Sequence, residues 1–492
     1  MQSTAPDSES IRHRVRSAVF WRSGSQIAAQ MVMWASTFLV IRLLSPSDYG
    51  LFAMTQVVIA FMNLANGYSF AGALVQAERI DENRVRQVFG MLILMNFGLA
   101  ALQFMMAPAA AAYFRTPAVE AMLRVQCLLH LATPFIVLPQ ALLSRTIDFR
   151  TQARVNMASA ALAAISAPAC AFAGLGVWTL VIAPLVLFWT RAIGLALVGR
   201  WLVWPSFRFS GARATFGFGS AMLVSELLWF VQTQADVFIA GRSMAPHPLG
   251  LYTESLFLTQ ILLNKFIPAL NDVAFPTYAR IQADRRAVAY GFATSIRLIM
   301  LVALPFYLGL AVTAEPLVLT VMGPKWVETV PLVRLLALAM PFATLQVLYG
   351  PATTALGRPG VTAWVSAGGA VIMPIAFLIG VRYGPVGMAS AWLIGAPLLL
   401  IIGSALSLPI IGLSPAEMFR AARPSLVAAL AMAAGVIGLD HVLLLQLPPM
   451  PAPLRLLILS ASGAAAYGLL LFFFARPLIE EVLRLLRRRA PA

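Results

Sequence analysis

Residues 361–408 read VTAWVSAGGAVIMPIAFLIGV, then RYG, then PVGMASAWLIGAPLLLIIGSALSL. The two flanking runs hold 21 and 24 residues and contain no ionisable group; the one charge in the stretch is Arg382, in the three residues between them. About 20 apolar residues in a helix cross a hydrocarbon core of about 30 Å, and the helix satisfies every backbone N–H and C=O internally. The stretch therefore reads as two successive membrane crossings.

The same pattern extends outward in both directions. Apolar runs bounded by charge, Gly and Pro fall near 24–44, 51–76, 88–111, 122–143, 155–173, 175–198 and 215–240. They continue near 249–275, 292–313, 328–350, 424–446 and 454–475, making fourteen with the opening pair. The expected class is an all-α polytopic membrane protein of about fourteen transmembrane helices. Composition agrees: of 492 residues, 60% are hydrophobic and 11% charged, with a mean hydropathy of +0.84. Soluble domains carry about 25% charged residues, so this chain cannot cover itself with a water-soluble surface. No cleavable leader is read at the N-terminus: Arg12–Arg16 leads into a long span without a small-residue cleavage site.

The formal net charge is +16. Its distribution points to membrane topology and away from nucleic acid. With the N-terminus in the cytoplasm and fourteen crossings, 26 of the 35 Lys and Arg residues fall in inner loops and ends and 8 in outer ones. Lys265 alone is inside a span. Cytoplasmic enrichment of Lys and Arg is the rule in membrane proteins, so both termini are expected inside. The Arg12–Arg22 segment and the stretch from Glu480 to Arg489 are expected at the interface, against anionic headgroups of the inner leaflet.

A weak internal repeat divides the chain. Gly24-Ser25, Ser45-Pro-Ser-Asp-Tyr-Gly-Leu-Phe52 and Arg79-Ile80 are echoed by Gly219-Ser220, Ala245-Pro-His-Pro-Leu-Gly-Leu-Tyr252 and Arg280-Ile281. At an offset of 201, Asn63 matches Asn264. This suggests two pseudo-symmetric lobes of six helices. The expected organisation is an N-terminal segment 1–22, a first lobe 23–200, a linker 201–212, a second lobe 213–410, two further helices in 411–476 and a basic tail 477–492.

Catalytic signatures do not emerge. No phosphate-binding loop or dinucleotide fingerprint occurs. The four histidines match no metal-ligand spacing, and Cys127 and Cys170 read as small hydrophobes inside apolar runs. No enzyme, cofactor or metal is expected. The chemistry rests in polar residues within spans, because an ionised group at the bilayer centre costs about 2.5–3.5 kcal/mol on insertion scales and usually faces a cavity or a partner. The seventh span carries Glu226, Gln232, Gln234 and Asp236; the eighth carries Gln260, Asn264, Lys265, Asn271 and Asp272; Arg334 opens the tenth. Lys265 and Asp272, two turns apart, share a face and are either a structural pair or part of a site; Asp236 is the alternative partner for Lys265. Asn63 and Asn66 are either interhelical hydrogen-bond glue or site residues. Prolines such as Pro134, Pro268, Pro305 and Pro374 kink their helices, as is common in membranes and useful where a cavity must open.

The stretch Arg42-Leu-Leu-Ser-Pro-Ser-Asp-Tyr-Gly-Leu-Phe52 is followed in order by Ala73-Leu-Val-Gln76, Gly174-Leu-Gly-Val-Trp178 and Asp236-Val-Phe-Ile-Ala-Gly-Arg242. Leu249-Gly-Leu-Tyr252, Phe275-Pro-Thr-Tyr-Ala-Arg280, Ala314-Glu-Pro-Leu317, Gly323-Pro-Lys-Trp326, Arg334 and Ala355-Leu-Gly-Arg-Pro359 complete the series. Together they resemble the polysaccharide transporter (flippase) family of the multidrug/oligosaccharidyl-lipid/polysaccharide exporter superfamily, in its colanic-acid and exopolysaccharide translocase subgroup. One departure is His247-Pro248, which lengthens the hinge before Gly250.

The resemblance implies two six-helix lobes around a central cavity in the bacterial inner membrane. It implies a substrate of undecaprenyl pyrophosphate carrying an oligosaccharide, with polymerase and co-polymerase as further partners. The sugar and pyrophosphate cannot cross lipid unaided, whereas the polyprenyl tail never has to leave it. Lys265, Arg334 and Arg42 are the expected pyrophosphate partners, with Asn63 and Asn264 beside them. Glu226, Asp236 and Asp272 are the expected ion-coupling carboxylates. A multidrug exporter of the same superfamily is the alternative; a lysine-bearing cavity disfavours cationic drugs.

Overall fold

A computed structural model of the chain describes residues 29–64, 74, 81–145, 149–199, 203–207, 213–446, 448, 450–474 and 476. Side chains are described for all of these except residues 149, 199, 213–226, 266–270, 272, 273 and 474. The expected interfacial segments 1–22 and 477–492 lie outside the described residues.

All regular structure among the described residues is helical. In order the helices are α1 (Ala29–Leu43), α2 (Pro46–Asn63), α3 (Glu82–Phe114), α4 (Ala118–Gln126), α5 (Leu128–Arg145), α6 (Phe149–Phe172), α7 (Trp178–Gly199) and α8 (Arg213–Ser243). Next come α9 (Pro246–Ile281), α10 (Arg285–Val312), α11 (Ala314–Val321), a 3₁₀ helix (Pro324–Thr329), α12 (Val330–Val347) and α13 (Tyr349–Ala355). The last are α14 (Pro359–Gly380), a 3₁₀ turn (Val381–Tyr383), α15 (Gly384–Ile411), α16 (Pro415–Gln446) and α17 (Ala452–Phe474). Each of the fourteen apolar runs overlaps at least one helix among the described residues; residues 24–28 of the first run and most of 65–76 in the second lie outside them. Nine helical stretches among the described residues are long and apolar enough to cross a membrane.

The helices begin where the sequence supplies caps. Ser45 forms a capping box with Asp48: its N–H and Oγ–H both reach Asp48 Oδ2, at 2.9 and 2.6 Å, while Pro46 takes the first helical position. Asp81 Oδ1 accepts from the Arg84 N–H at 2.9 Å to start α3, and Asp284 Oδ1 accepts from the N–H groups of Arg286 and Ala287 to start α10. These side chains satisfy donors that a helix leaves unpaired in its first turn. The repeat read from the sequence has a local counterpart: α1 and α8 each break just before a proline that opens the next helix, Pro46 in α2 and Pro246 in α9. Arg42 and Arg242, 200 residues apart, are both exposed just before that break.

The chain divides into two compact units, residues 1–227 and 228–492. In the first, α5 packs against α3 and α7, burying Val137, Leu138 and Ile136 between Phe89, Leu92 and Leu195. Close approach is made possible by glycine: a Cβ on Gly194 would lie 2.8 Å from Val155 Cγ1. Residues 203–207 run along the start of α3, with the Ser206 N–H donating to the Arg86 carbonyl (2.9 Å) and Arg86 Nε donating to the Trp204 carbonyl (3.0 Å). A Cβ on Gly90 would lie within 2.2 Å of the Ser206 carbonyl oxygen, so only glycine admits this strap.

In the second unit the opening stretch of the sequence forms the α14–α15 hairpin. Gly380 and Gly387 face each other across its turn; a Cβ on Gly380 would be 2.5 Å from the Gly387 carbonyl oxygen. Where lipid competes equally for apolar side chains, such small-residue contacts and close packing hold helices together. The last two helices, expected as an addition to the second lobe, are packed into the second unit. Ala429, Met432 and Val436 of α16 join the core built on Phe292, Met300 and Tyr307, and Tyr467 Oη donates to the Leu301 carbonyl at 2.9 Å. Arg455 at the start of α17 is 9% exposed and grips Asp440 of α16 with two bonds of 2.7 and 2.8 Å, plus Glu315 of α11 at 3.3 Å.

Candidate functional site

Lys265 lies near the middle of α9, nineteen residues from its first residue and sixteen from its last. At 1.5 Å per residue this places it about 28 and 24 Å from the two ends. Its side chain and that of Asn264 are exposed. Asn264 Nδ2 donates to Gln260 Oε1 one turn earlier, at 3.3 Å. The described side chains form ion pairs at Arg124–Glu120, His247–Glu328 and Arg455 with Asp440 and Glu315. Lys265 pairs with no acid among the described residues, so the structural pairing with Asp236 weighed above is not formed.

Arg334, the fifth residue of α12, and Arg42, next to last in α1, are exposed and without a described acidic partner. Asn63 ends α2 and is exposed. Arg42 and Asn63 fall in the first unit; Asn264, Lys265 and Arg334 fall in the second. Arg42 stands four residues before α2 and Asn63 is the last of its 18 residues, about 27 Å of helix, so they do not form one local cluster. Asn264 and Lys265 are the two that the fold places side by side.

Asp236 is buried to 1% exposure and fully engaged. Its Oδ2 accepts from Tyr252 Oη at 2.9 Å and its Oδ1 from the Val237 N–H at 2.7 Å. Tyr252 Oη in turn accepts from Trp392 Nε1 at 2.8 Å. The chain of bonds Trp392–Tyr252–Asp236 ties α15 to α9 and α9 to α8. A buried polar group with all partners present fixes helices against one another. Glu226 and Asp272 fall on α8 and α9, with side chains outside the described residues.

Several polar groups went unread in the sequence. In the first unit, His130 Nε2 meets Gln103 Oε1 at 2.9 Å, and Gln103 Nε2 donates to the Leu123 carbonyl at 2.8 Å, all buried. In the second, Glu254 of α9 is 9% exposed. It stands in an expected span, and its charge was the available signal. No cluster of metal-binding side chains occurs among the described residues.

A family model described as "polysaccharide biosynthesis protein" matches residues 39–331. The chain is 27% identical over 483 residues to the succinoglycan biosynthesis transport protein ExoT of Rhizobium meliloti (strain 1021), covering 96% of each. It is 24% identical over 484 residues to the teichuronic acid biosynthesis protein TuaB of Bacillus subtilis (strain 168), covering 97% of this chain and 99% of that one. Among solved structures, the lipid II flippase MurJ in an inward closed conformation aligns with a TM-score of 0.73 at 12% identity, over 94% of this chain and 100% of MurJ. An inward-facing multidrug resistance transporter of the MATE family aligns at 0.62 and 16% identity, over 80% of this chain and 98% of that one. Both share the fold.

Proposed function

The chain belongs to the polysaccharide biosynthesis protein family, and from that premise we propose that it is a flippase for lipid-linked oligosaccharides. Its substrate class is a polyprenyl pyrophosphate bearing a repeat unit, moved from the inner to the outer face of a bacterial cytoplasmic membrane. The observation that carries this reading is Lys265: a cation exposed at mid-length of a helix, with no acidic partner among the described residues, in a chain that is 60% hydrophobic. Such a group is tolerated at depth where water or an anionic ligand meets it. Lys265 with Asn264 receives pyrophosphate and sugar hydroxyls, and Arg334 and Arg42 supply further positive charge along the path. The full-length relatives named for succinoglycan and teichuronic acid support the same cargo class.

Polymerase and co-polymerase are the partners that would consume the flipped unit, and anionic inner-leaflet lipids would hold the basic ends. Helices rearrange to expose the site alternately to each side, driven by an ion gradient or by downstream consumption of the flipped unit.

The test is direct. Deleting the gene causes lipid-linked repeat units to accumulate on the inner leaflet, and Lys265→Ala abolishes flipping while the protein still inserts. Unchanged polymer export in the Lys265→Ala strain overturns the assignment. Multidrug export, a second use of the shared fold, predicts drug sensitivity in the deletion strain with normal polymer.

A further inference from the structure

Helix α9 has a back and a front. Leu251, Ser255, Leu258 and Leu262 lie on one side of it and are buried in the second unit. On the opposite side, at about 100° of turn per residue, Phe257, Gln260, Asn271 and Phe275 all fall within about 40° of Asn264. Phe257 is 38% exposed and Phe275 43%. Asn264 is exposed, and Gln260 and Asn271 are half-buried. The front of α9 is therefore a stripe of carboxamides interleaved with aromatic rings, and Lys265 stands at its edge.

Lipid does not account for such a stripe. The exposed positions of α14 and α15 show what this chain offers to hydrocarbon: Val371, Ile375 and Leu378 on the first, Ile394 and Ile401 on the second. A carboxamide moved into hydrocarbon loses its bonds to water with nothing in return. Asn264 Nδ2 keeps one bond, to Gln260 Oε1 at 3.3 Å. The other side-chain donors and acceptors of the pair have no partner among the described residues. They are left to water or to a polar ligand. An anion alone does not account for the stripe either, because it has no use for the face of Phe257. Amides beside an exposed ring suit a sugar. The amides exchange hydrogen bonds with its hydroxyls, and the electron-rich face of the ring receives its C–H groups.

We propose that Phe257 is the platform on which a sugar of the lipid-linked oligosaccharide stacks, with Gln260 and Asn264 bonding the hydroxyls between that ring and Lys265. Resting on the flippase reading, this gives the cargo a direction along α9. The charge of Lys265 complements the pyrophosphate, so the first sugar lies beside Asn264. Phe257 is eight residues from Lys265 toward the start of the helix, about 12 Å along the axis. A single ring attached to the pyrophosphate does not span that distance, so the stacked ring is a later one. The reducing end then lies at mid-helix and the outer sugars point toward Pro246. Phe257 is a specificity-determining residue: it favours a completed repeat unit over a lipid carrying its first sugar only. Phe275, ten residues beyond Lys265 on the other side, is off the path of the same glycan.

The experiment measures binding to the purified full-length chain in detergent. One probe is the radiolabelled lipid-linked repeat unit extracted from the deletion strain; the other is the same lipid trimmed enzymatically to its first sugar. The wild type binds the full unit about fivefold more tightly than the trimmed one, the size of one aromatic contact. Phe257→Tyr keeps that preference. Phe257→Leu, which a lipid-facing position would accept without effect, loses it and binds the trimmed lipid as before. Phe275→Leu keeps it, and Lys265→Ala weakens both probes alike. Thermal unfolding confirms that the variants are folded, and Phe257→Met reads the same loss should the leucine variant be unstable. A preference that survives in Phe257→Leu overturns the proposal, as does a wild type that binds both probes equally; in either case the flippase reading stands. A deletion strain that accumulates no lipid-linked unit, or a wild type that binds neither probe, brings down the flippase reading and this inference with it.

Discussion

Single residues define both what is fixed and what is free in this protein. Asp236 was visible in the sequence as an acid inside a span, but its partners were not: Tyr252 is 16 residues away and Trp392 is 156, and nothing local links them. Removing the acid orphans a buried hydroxyl donor, so Asp236→Ala should cost about 1–3 kcal/mol, read as a lowered melting temperature in detergent. Asp236→Asn, which keeps an acceptor, should cost less. Gly380→Ala is a second case. Its new Cβ would meet backbone rather than a flexible side chain, and overpacking of this kind costs about 1–3 kcal/mol. The identity of Lys265 as an intramembrane cation was legible; that it has no acidic partner among the described residues was not, because pairing is set by which helices meet.

At the level of helices, apolar run length was the strongest signal and located the long helices. Boundaries followed capping chemistry that the runs do not encode. The run near 249–275 sits on a 36-residue helix starting at Pro246, and the run near 122–143 is divided at Cys127 into α4 and α5. The non-spanning helices in 314–329 were not anticipated, since eight residues fall below the reach of periodicity. The two hinges differ in a testable way. Ser45 caps α2 with its side chain, whereas Ala245 before α9 has none to offer. Ser45→Ala should destabilise by about 1 kcal/mol and Ala245→Ser should recover a similar amount, measured by thermal unfolding. The Arg455 clasp holds three helix ends. Arg455→Ala leaves Asp440 and Glu315 facing each other uncompensated, so cysteines placed on α11 and α17 should cross-link less efficiently and proteolysis near 448 should quicken.

For the molecule as a whole, the alternation of arginine predicts which loops face which side. In a background lacking Cys127 and Cys170, Tyr383→Cys should react with a membrane-impermeant maleimide in intact cells. Trp204→Cys should react only after permeabilisation. Both positions are among the most exposed, at 75% and 82%, so absence of labelling would not reflect burial. The reversed pattern would invert the proposed topology. The strap at 203–207 has an implication for how this gene could be divided. Because Gly90 and Arg86 bind it to α3, the connector travels with the amino-terminal half. A chain severed after Phe207 and made as two co-expressed polypeptides keeps that stitch, whereas severing it after Gly199 tears the stitch from its anchor. Reassembly in the cell should therefore favour the later break point.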